Sequence, residues 1–298
     1  MSDTVESLRR KIDKAGTLGS VVRTMKTMAA LNIRQYEEAV RSLADYYRTV
    51  ELGLMAYLRQ PGHGAIKPAN PETRAIPAVV VVFGSDQGLV GQFNDTLAIA
   101  VRSGLESLTR TSLTVLSIGE RIQLRLKDAG IGSGSLFTVP NSVNAITPLI
   151  GDILTSIELI LEREPLFELH LYYNSPVSGE NYQPVSKRLL PLDETWEKEI
   201  LSIGPWPSGA VPETPNGLET TRWALVREYL FVSLFRACAE SLASENASRL
   251  SAMQRAEKNI DDLLVELRRN YNERRQADID EELFDIISGF QALDNLSR

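Results

Sequence analysis

The chain has 298 residues, 43% of them apolar, and a net charge of −7 at pH 7, which describes a folded chain long enough for two domains and argues against a general affinity for nucleic acid. One cysteine, Cys238, excludes an internal disulfide and a cysteine-based metal cluster, and two histidines do not favour a zinc site. The longest apolar run, residues 76–83, is too short to cross a bilayer, and the first residues contain no apolar signal region, so we expect the chain to stay in the compartment where it is made.

The first sixty residues carry a heptad pattern, in which mostly apolar residues recur at alternating steps of three and four. Its members are Val5, Leu8, Ile12, Ala15, Gly19, Val22, Lys26, Ala29, Ile33, Tyr36, Val40, Leu43, Tyr47, Val50 and Leu54. A register held over about seven heptads indicates a coiled-coil helix over residues 1–60. Gly16 and Gly19 predict a bend or the close approach of a partner helix. A linker that begins at Pro61 then runs to residue 77.

Residues 78–203 change to alternating strands and helices. The run that ends at Phe83 is continuous and β-branched, which is typical of a buried parallel strand. Further strands are predicted at 113–118, 135–139, 167–173 and 182–192, and helices at 94–108, 120–128 and 145–161. Pro184 favours an edge position for the last strand, because proline removes a ladder donor. This order predicts a small, doubly wound, mostly parallel α/β domain, followed by a proline-rich linker at 204–215.

Residues 216–298 contain no proline and predict one long helix that opens at Asn216. A second seam runs through Ala243, Asn246, Leu250, Met253, Glu257, Ile260, Leu264, Leu267 and Tyr271. At 1.5 Å per residue this helix would be about 120 Å long, so it must pack outside its own domain. Antiparallel pairing with the first helix is the simplest expectation. After Tyr271 the apolar register shifts, so the last turns are expected to leave the pair.

The segments that resemble known catalytic or binding motifs favour structural roles. The turn at residues 84–91 follows a strand, but it matches neither phosphate-binding fingerprint, and a tight structural turn is the better interpretation. His170 is expected to be a hydrogen-bonded surface residue, and Cys238 a small buried apolar residue. The acidic residues 278–285 lack the partners of a metal or catalytic site. We therefore expect a non-catalytic protein with no cofactor and no metal.

Both ends of the chain resemble the gamma subunits of F-type ATP synthases. Residues 244–264 and 271–293 are similar to that family's C-terminal helix, residues 23–34 to its second signature, and residues 85–94 to its central turn. Several positions depart from the family pattern, with Gln87 in place of arginine, Val90 in place of cysteine and Asp280 in place of threonine, and Gly16 and Gly19 replace helix-favouring residues. These differences suggest a divergent member, compatible with an alternative rotary ATPase.

The resemblance implies an antiparallel coiled-coil shaft and a non-catalytic rotor subunit. In that family the rotor transmits rotation between a membrane ion-driven c ring and a catalytic hexamer of three alpha and three beta subunits, beside an epsilon subunit. The expected location is the cytoplasmic face of the bacterial inner membrane, as a peripheral part of the complex with no membrane span of its own. The alternative that remains open is a small-molecule-binding α/β domain with helical dimerisation arms. A static coiled-coil scaffold is a third interpretation.

The resemblance and the seams together define two sets of candidate residues. The expected contacts to the alpha/beta hexamer are Arg23, Met25, Lys26, Arg34, Arg249, Arg275, Gln276, Asp280, Leu283, Ile286, Ile287, Phe290 and Leu293. The expected coiled-coil seam contains Ile12, Val22, Ala29, Ile33, Leu250, Met253, Ile260, Leu264 and Leu267. The apolar contacts at the far end fit a low-friction bearing, because non-directional contacts vary little on rotation whereas paired charges would lock.

Overall fold

The structure, a computed structural model, describes residues 4–60, 76–108, 110–132, 134–177, 182–204, 206, 213 and 217–296, with side chains as far as residue 287. The chain forms two compact units. One contains Met1–Met28 and Leu250–Arg298, and the other contains Ala29–Arg249. The two long helices are α1 (Val5–Leu58) and α6 (Leu218–Leu296), and each contributes to both units.

In the first unit, α1 and α6 run antiparallel and pack along their predicted seams. Seam positions of α1 are buried or half-buried there, while most residues between them are exposed. A Cβ atom added at Gly19 would lie 3.4 Å from Cγ2 of Ile260, whereas Gly16 has open space around it. Further along α1, the Lys26 ammonium is 2.5 Å from the Glu257 carboxylate. Residue numbers therefore rise on one helix as they fall on the other, which confirms the predicted antiparallel pairing.

The second unit contains a five-stranded sheet, whose strands follow α1 and precede α6 in the sequence. Its strands are β1 (Ile76–Phe83), β2 (Arg110–Ile118), β3 (Leu136–Phe137), β4 (Glu168–Pro176) and β5 (Tyr182–Leu190), in the spatial order β3-β2-β1-β4-β5. The first four are parallel, and β5 pairs antiparallel with β4 at the edge. The connecting helices are α2 (Phe93–Glu106), α3 (Glu120–Asp128), α4 (Ile146–Arg163) and α5 (Glu194–Leu201). This topology confirms the predicted doubly wound, mostly parallel α/β domain.

Both faces of β1 are covered, which explains its continuous apolar run. Val80 and Val82 pack in the core with α2 and α3. Val79 and Val81 pack on the opposite face with α4 and with parts of α1 and α6. β-Branched side chains fit such a pleated surface buried on two sides, so neither face of the strand needs polar residues.

His170, on strand β4, is buried and not at the surface as the sequence predicted. That histidine is only 7% exposed, and its Nε2 atom is 3.0 Å from the Glu168 carboxylate. Tyr172, on the same face, is also buried. The alternation of residue types had suggested a solvated face, but helix α2 covers it. The predicted third strand is also shorter than expected, at two residues.

The start of the last helix falls partly outside the described residues. The predicted N-cap, Asn216, is one of the residues that the structure does not describe, and α6 begins at Leu218. Gly217, just before it, has a φ of +82°, a conformation that glycine adopts without strain.

Among the described residues, one segment, Val143–Arg163, is long and apolar enough to span a membrane. Most of this segment is α4, whose buried side packs against the sheet.

A close contact between α2 and β4 leads to a matched pair of predictions. A Cβ atom at Gly104 would lie 2.1 Å from the hydroxyl oxygen of the buried Tyr172, so Gly104→Ala should lower the free energy of unfolding by about 1–3 kcal/mol. Gly151, inside α4, has open space around the same position. Gly151→Ala should therefore raise the free energy of unfolding, by about 0.5–1 kcal/mol. Urea denaturation of both variants tests this, and equal effects would contradict the packing explanation.

Candidate functional site: the junction of the sheet with the C-terminal helix

The turn after β1 is bonded to two neighbouring segments at the carboxyl edge of the sheet. Its Asp86 carboxylate accepts hydrogen bonds from the backbone N–H of Glu120, at 2.9 Å, and of Val139, at 2.8 Å. Glu120 opens α3, and Val139 follows β3. A charged acceptor with two backbone donors is a strong, directional connection. The turn is thus fixed to the segments that follow β2 and β3.

Polar groups of the same turn are also satisfied internally. Asn94, at the start of α2, accepts a hydrogen bond from the Ser85 N–H at 3.1 Å and donates one to the Ser85 hydroxyl at 2.8 Å. The Ser85 hydroxyl donates to the Gln87 carbonyl at 3.0 Å. Leu89 has a φ of +62°, which is unusual for a residue with a side chain and marks a tightly constrained turn. These bonds support the interpretation of a structural turn over that of a phosphate cradle.

Helix α6 crosses this turn and is bonded to both of its ends. The Ser241 hydroxyl donates to the Phe83 carbonyl at 2.9 Å, and the Ser248 hydroxyl donates to the Val90 carbonyl at 2.5 Å. Both serines are buried. Sequence reasoning assigned no role to Ser241 or Ser248; the available signal was a spacing of seven residues, which places them on one face of the helix.

A polar layer lies between α1 and α6 next to this junction. The Arg249 guanidinium is 2.5 Å from the Glu245 carboxylate, and both side chains are nearly buried. Asn246 accepts a hydrogen bond from Asn32 of α1 at 3.3 Å and donates to the Leu242 carbonyl at 2.8 Å. A polar pair at a seam position fixes the register of a coiled coil, since a shifted helix would leave these groups unpaired.

Burial changes the proton affinities of this layer. Desolvation raises the pKa of the Glu245 carboxyl above its ordinary value, against the opposing effect of Arg249, and nearby Asp86 raises it as well. Burial, with contributions from Cys238 and Glu245, raises the pKa of Tyr36 to about 12. Cys238 is itself buried, which raises the pKa of its thiol and agrees with the expected role of a small apolar residue.

The residues expected to contact a partner fall into four groups. Lys26 and Arg249 are paired within the chain, with Glu257 and Glu245 respectively. Met25 is half-buried. Solvent-exposed members are Arg23, Arg34, Arg275, Gln276, Asp280, Leu283, Ile286 and Ile287. The side chains of Phe290 and Leu293 lie outside the described residues.

The expected seam residues all lie on the inner side of the two helices. Ala29 and Met253 are fully buried. The half-buried members are Ile12, Val22, Ile33, Leu250, Ile260, Leu264 and Leu267. From residue 272 to residue 287 the helix is exposed except at Asp278, which coincides with the shift in the apolar register. Apolar residues without cover at the end of a folded helix are typical of a binding surface.

Comparison with known proteins places these features in a family. The family model described as ATP synthase matches residues 4–293. The ATP synthase gamma chain of Polynucleobacter necessarius is 26% identical over 297 residues, which cover 98% of this chain and 100% of that protein. The ATP synthase gamma chain of Anaeromyxobacter sp. is 27% identical over 300 residues, covering 97% and 99%.

Solved structures share the fold. The rotor structure of the Euglena gracilis mitochondrial ATP synthase in rotational state 1 aligns with a TM-score of 0.60 at 16% identity, over 92% of this chain and 98% of that one. The central stalk and c-ring structure of the Tetrahymena thermophila enzyme aligns with a TM-score of 0.52 at 20% identity, over 79% and 99%.

Proposed function

This chain belongs to the ATP synthase family, and from that premise we propose that it is the gamma subunit, the central-stalk rotor that transmits rotation between a membrane ion-driven c ring and a catalytic alpha/beta hexamer. The observation that carries the proposal is the antiparallel pairing of the first and last helices along matched seams. This pairing brings Gly19 against Ile260 and Lys26 against Glu257. Two helices wound together resist twisting better than one, and a rotor must transmit torque.

The exposed apolar end of α6 supports the proposal that this end turns within a bearing formed by the hexamer. Beyond Tyr271 the helix presents Leu283, Phe284, Ile286 and Ile287 to solvent, all of them at least 45% exposed. Apolar contacts are non-directional, so a surrounding apolar sleeve would hold this end at nearly constant energy as it turns. The rotor can then bias each beta subunit through unequal contacts made further along the shaft.

The proposal assigns the chemistry to the partners and not to this chain. Three alpha and three beta subunits would supply the nucleotide sites, while the epsilon subunit and the c ring would bind near the α/β domain. The shaft would comprise residues 1–60 and 216–298, and the α/β domain residues 78–203, joined by the two linkers. As part of this complex the protein would lie at the cytoplasmic face of the bacterial inner membrane.

Co-purification from native membranes tests the assignment. The tagged chain should bring down alpha and beta in a ratio of one to three of each, and mixing it with those subunits should restore coupled ATP turnover. The isolated chain should hydrolyse no ATP. ATP hydrolysis by the chain alone, or a symmetric homodimer formed through both seams, would overturn the proposal and favour the ligand-binding alternative.

Arg275 offers a test of the expected contact with the hexamer. This residue is exposed on α6, beyond the last half-buried seam position. If it faces acidic groups of a beta subunit, Arg275→Glu should slow coupled turnover by about tenfold, since a like-charge contact costs free energy at an interface. Arg275→Lys keeps the charge and should retain most of the activity. The urea midpoint of the isolated chain should not change in either variant, and a lower midpoint would indicate a structural role instead.

A further inference from the structure

The sheet and α6 are joined by three directional side-chain bonds along one stretch of the helix. Two of them are the Ser241 and Ser248 hydrogen bonds to the Phe83 and Val90 carbonyls. For the third, the Ser175 hydroxyl, near the end of β4, donates to Oε2 of Glu240 at 2.8 Å. We call these three bonds the clamp. Phe83 and Ser175 lie at or near the carboxyl ends of the adjacent parallel strands β1 and β4, and Val90 lies in the turn that follows β1.

Glu240 is held in place for this role by other groups. It is a buried carboxylate, and its second oxygen, Oε1, accepts a hydrogen bond from Nε of Arg236 at 2.7 Å. The Arg236 guanidinium in turn lies 6.0 Å from the centre of the Tyr47 ring of α1. Burial, together with Glu240, raises the pKa of Tyr173 on β4. One carboxylate thus connects α6 to the sheet directly and to α1 through Arg236.

The clamp can resist rotation in a way that the surrounding core cannot. The apolar contacts between the sheet and α6 hold the two together, but the burial that drives them has no preferred direction. Hydrogen bonds weaken steeply when their geometry is bent. Residues 240 and 248 are about 12 Å apart along the helix axis, so the bonds also oppose tilting of the sheet.

We propose that this clamp is the torque-bearing joint of the subunit: Glu240, Ser241 and Ser248 make the α/β domain turn with the shaft. The inference rests on the proposed rotor function and deepens it. These residues are positioning residues, because they touch neither nucleotide nor ion. The expected consequence of their loss is a softer rotor, in which the α/β domain lags behind the shaft under load, while assembly is kept.

The experiment measures the torsional stiffness of the rotor in the reconstituted complex. The hexamer is fixed to a surface and a bead is attached to the exposed residue 198 on α5 through Lys198→Cys, which is specific because Cys238 is buried. The variance of the bead angle during pauses gives the stiffness. The test protein is the triple variant Ser175→Ala, Ser241→Ala and Ser248→Ala. Its stiffness should fall at least about twofold, since three directional bonds are removed, while unloaded ATP hydrolysis is unchanged.

A matched triple variant controls for the loss of three hydroxyls. Ser42 and Ser156 each donate to a carbonyl of their own helix, and Ser202, which directly follows α5, donates to the Glu199 carbonyl of that helix. Alanine at these three positions should leave the stiffness unchanged. Threonine in place of alanine at positions 241 and 248 restores both hydroxyls. It should therefore recover most of the stiffness that the clamp variant loses. Should the triple alanine variant fail to assemble, Ser175→Ala alone decides, because it removes one clamp bond at the end of a strand.

The outcomes separate the clamp from the rotor function itself. Equal stiffness in the clamp variant and the wild type, or an equal fall in both triple variants, would overturn the clamp. For Ser175→Ala alone, a fall in stiffness supports it and no change overturns it. Absence of any rotation in the wild-type complex would instead contradict the proposed function on which the inference rests.

Discussion

Replacement of Met253 by aspartate should lower the free energy of unfolding of the chain by about 3–5 kcal/mol, because it places an unpaired charge in the seam. Met253 is 2% exposed and lies on the inner side of α6. The variant should lose helix content at lower urea concentration than the wild type. It should also bind the hexamer weakly, since the unpaired ends of α1 and α6 would no longer form a shaft. Far-UV circular dichroism during urea denaturation measures the first effect.

Val265 provides the control on the same helix. It is 70% exposed, so Val265→Asp introduces the same charge without burying it. Its effect on the free energy of unfolding should stay within about 0.5 kcal/mol. If the two aspartate variants unfold at the same urea concentration, the seam does not hold the helices together, and the rotor assignment loses its structural basis.

Replacement of Arg249 by methionine should also cost about 3–5 kcal/mol at neutral pH, because it leaves the buried Glu245 carboxylate without its partner. The Arg249 guanidinium and the Glu245 carboxylate are 2.5 Å apart. A second substitution, Glu245→Gln, removes the charge and should recover much of the lost stability. Urea denaturation of the single and double variants measures the coupling between the two residues.

The free energy of unfolding should depend on pH through the buried Glu245 carboxyl. Burial raises the pKa of Glu245 in the folded chain, with Asp86 acting in the same direction and Arg249 against it. Between the unfolded pKa and the higher folded pKa, the folded state binds more protons, so the free energy of unfolding falls as the pH rises through that interval. Loss of Arg249 raises the folded pKa further.

The free energy of unfolding that Arg249→Met loses relative to wild type should therefore be larger at about pH 8 than at about pH 5, where Glu245 can take up a proton. The double variant with Glu245→Gln should not share this dependence. A deficit of the same size at both pH values would mean that Arg249 stabilises the chain through its hydrogen bond to Asn246 and not through its pairing with the Glu245 charge.

The sequence predicted the parts of the fold that depend on periodicity. The heptad spacing of Val22, Ala29 and Ile33 was visible without any coordinates, since helical geometry places residues three and four apart on one face. The continuous run that ends at Phe83 indicated a strand buried on both sides. Pro184 marked the edge strand, because a central strand would need its missing N–H. Each of these signals is local.

The sequence could not predict which polar groups meet across the fold. Nothing near Asp86 indicates that it binds the backbone of residues 120 and 139, because those partners lie 34 and 53 residues further along the chain. His170 was wrongly expected at the surface for the same reason: it is 7% exposed, on the face of β4 where Tyr172 packs against α2, a helix more than sixty residues earlier in the chain.

By itself, the order of residues determined two long amphipathic helices and an alternating α/β segment between them, because these follow from spacing along one chain. The family was indicated separately, by the resemblance of segments 23–34, 85–94, 244–264 and 271–293 to known signatures. Only the tertiary structure decided that Ser241, Ser248 and Glu240 join the last helix to the sheet. Such bonds form between atoms far apart in sequence, and their partners are mostly backbone carbonyls, which every residue carries and which therefore leave no trace in the residue types.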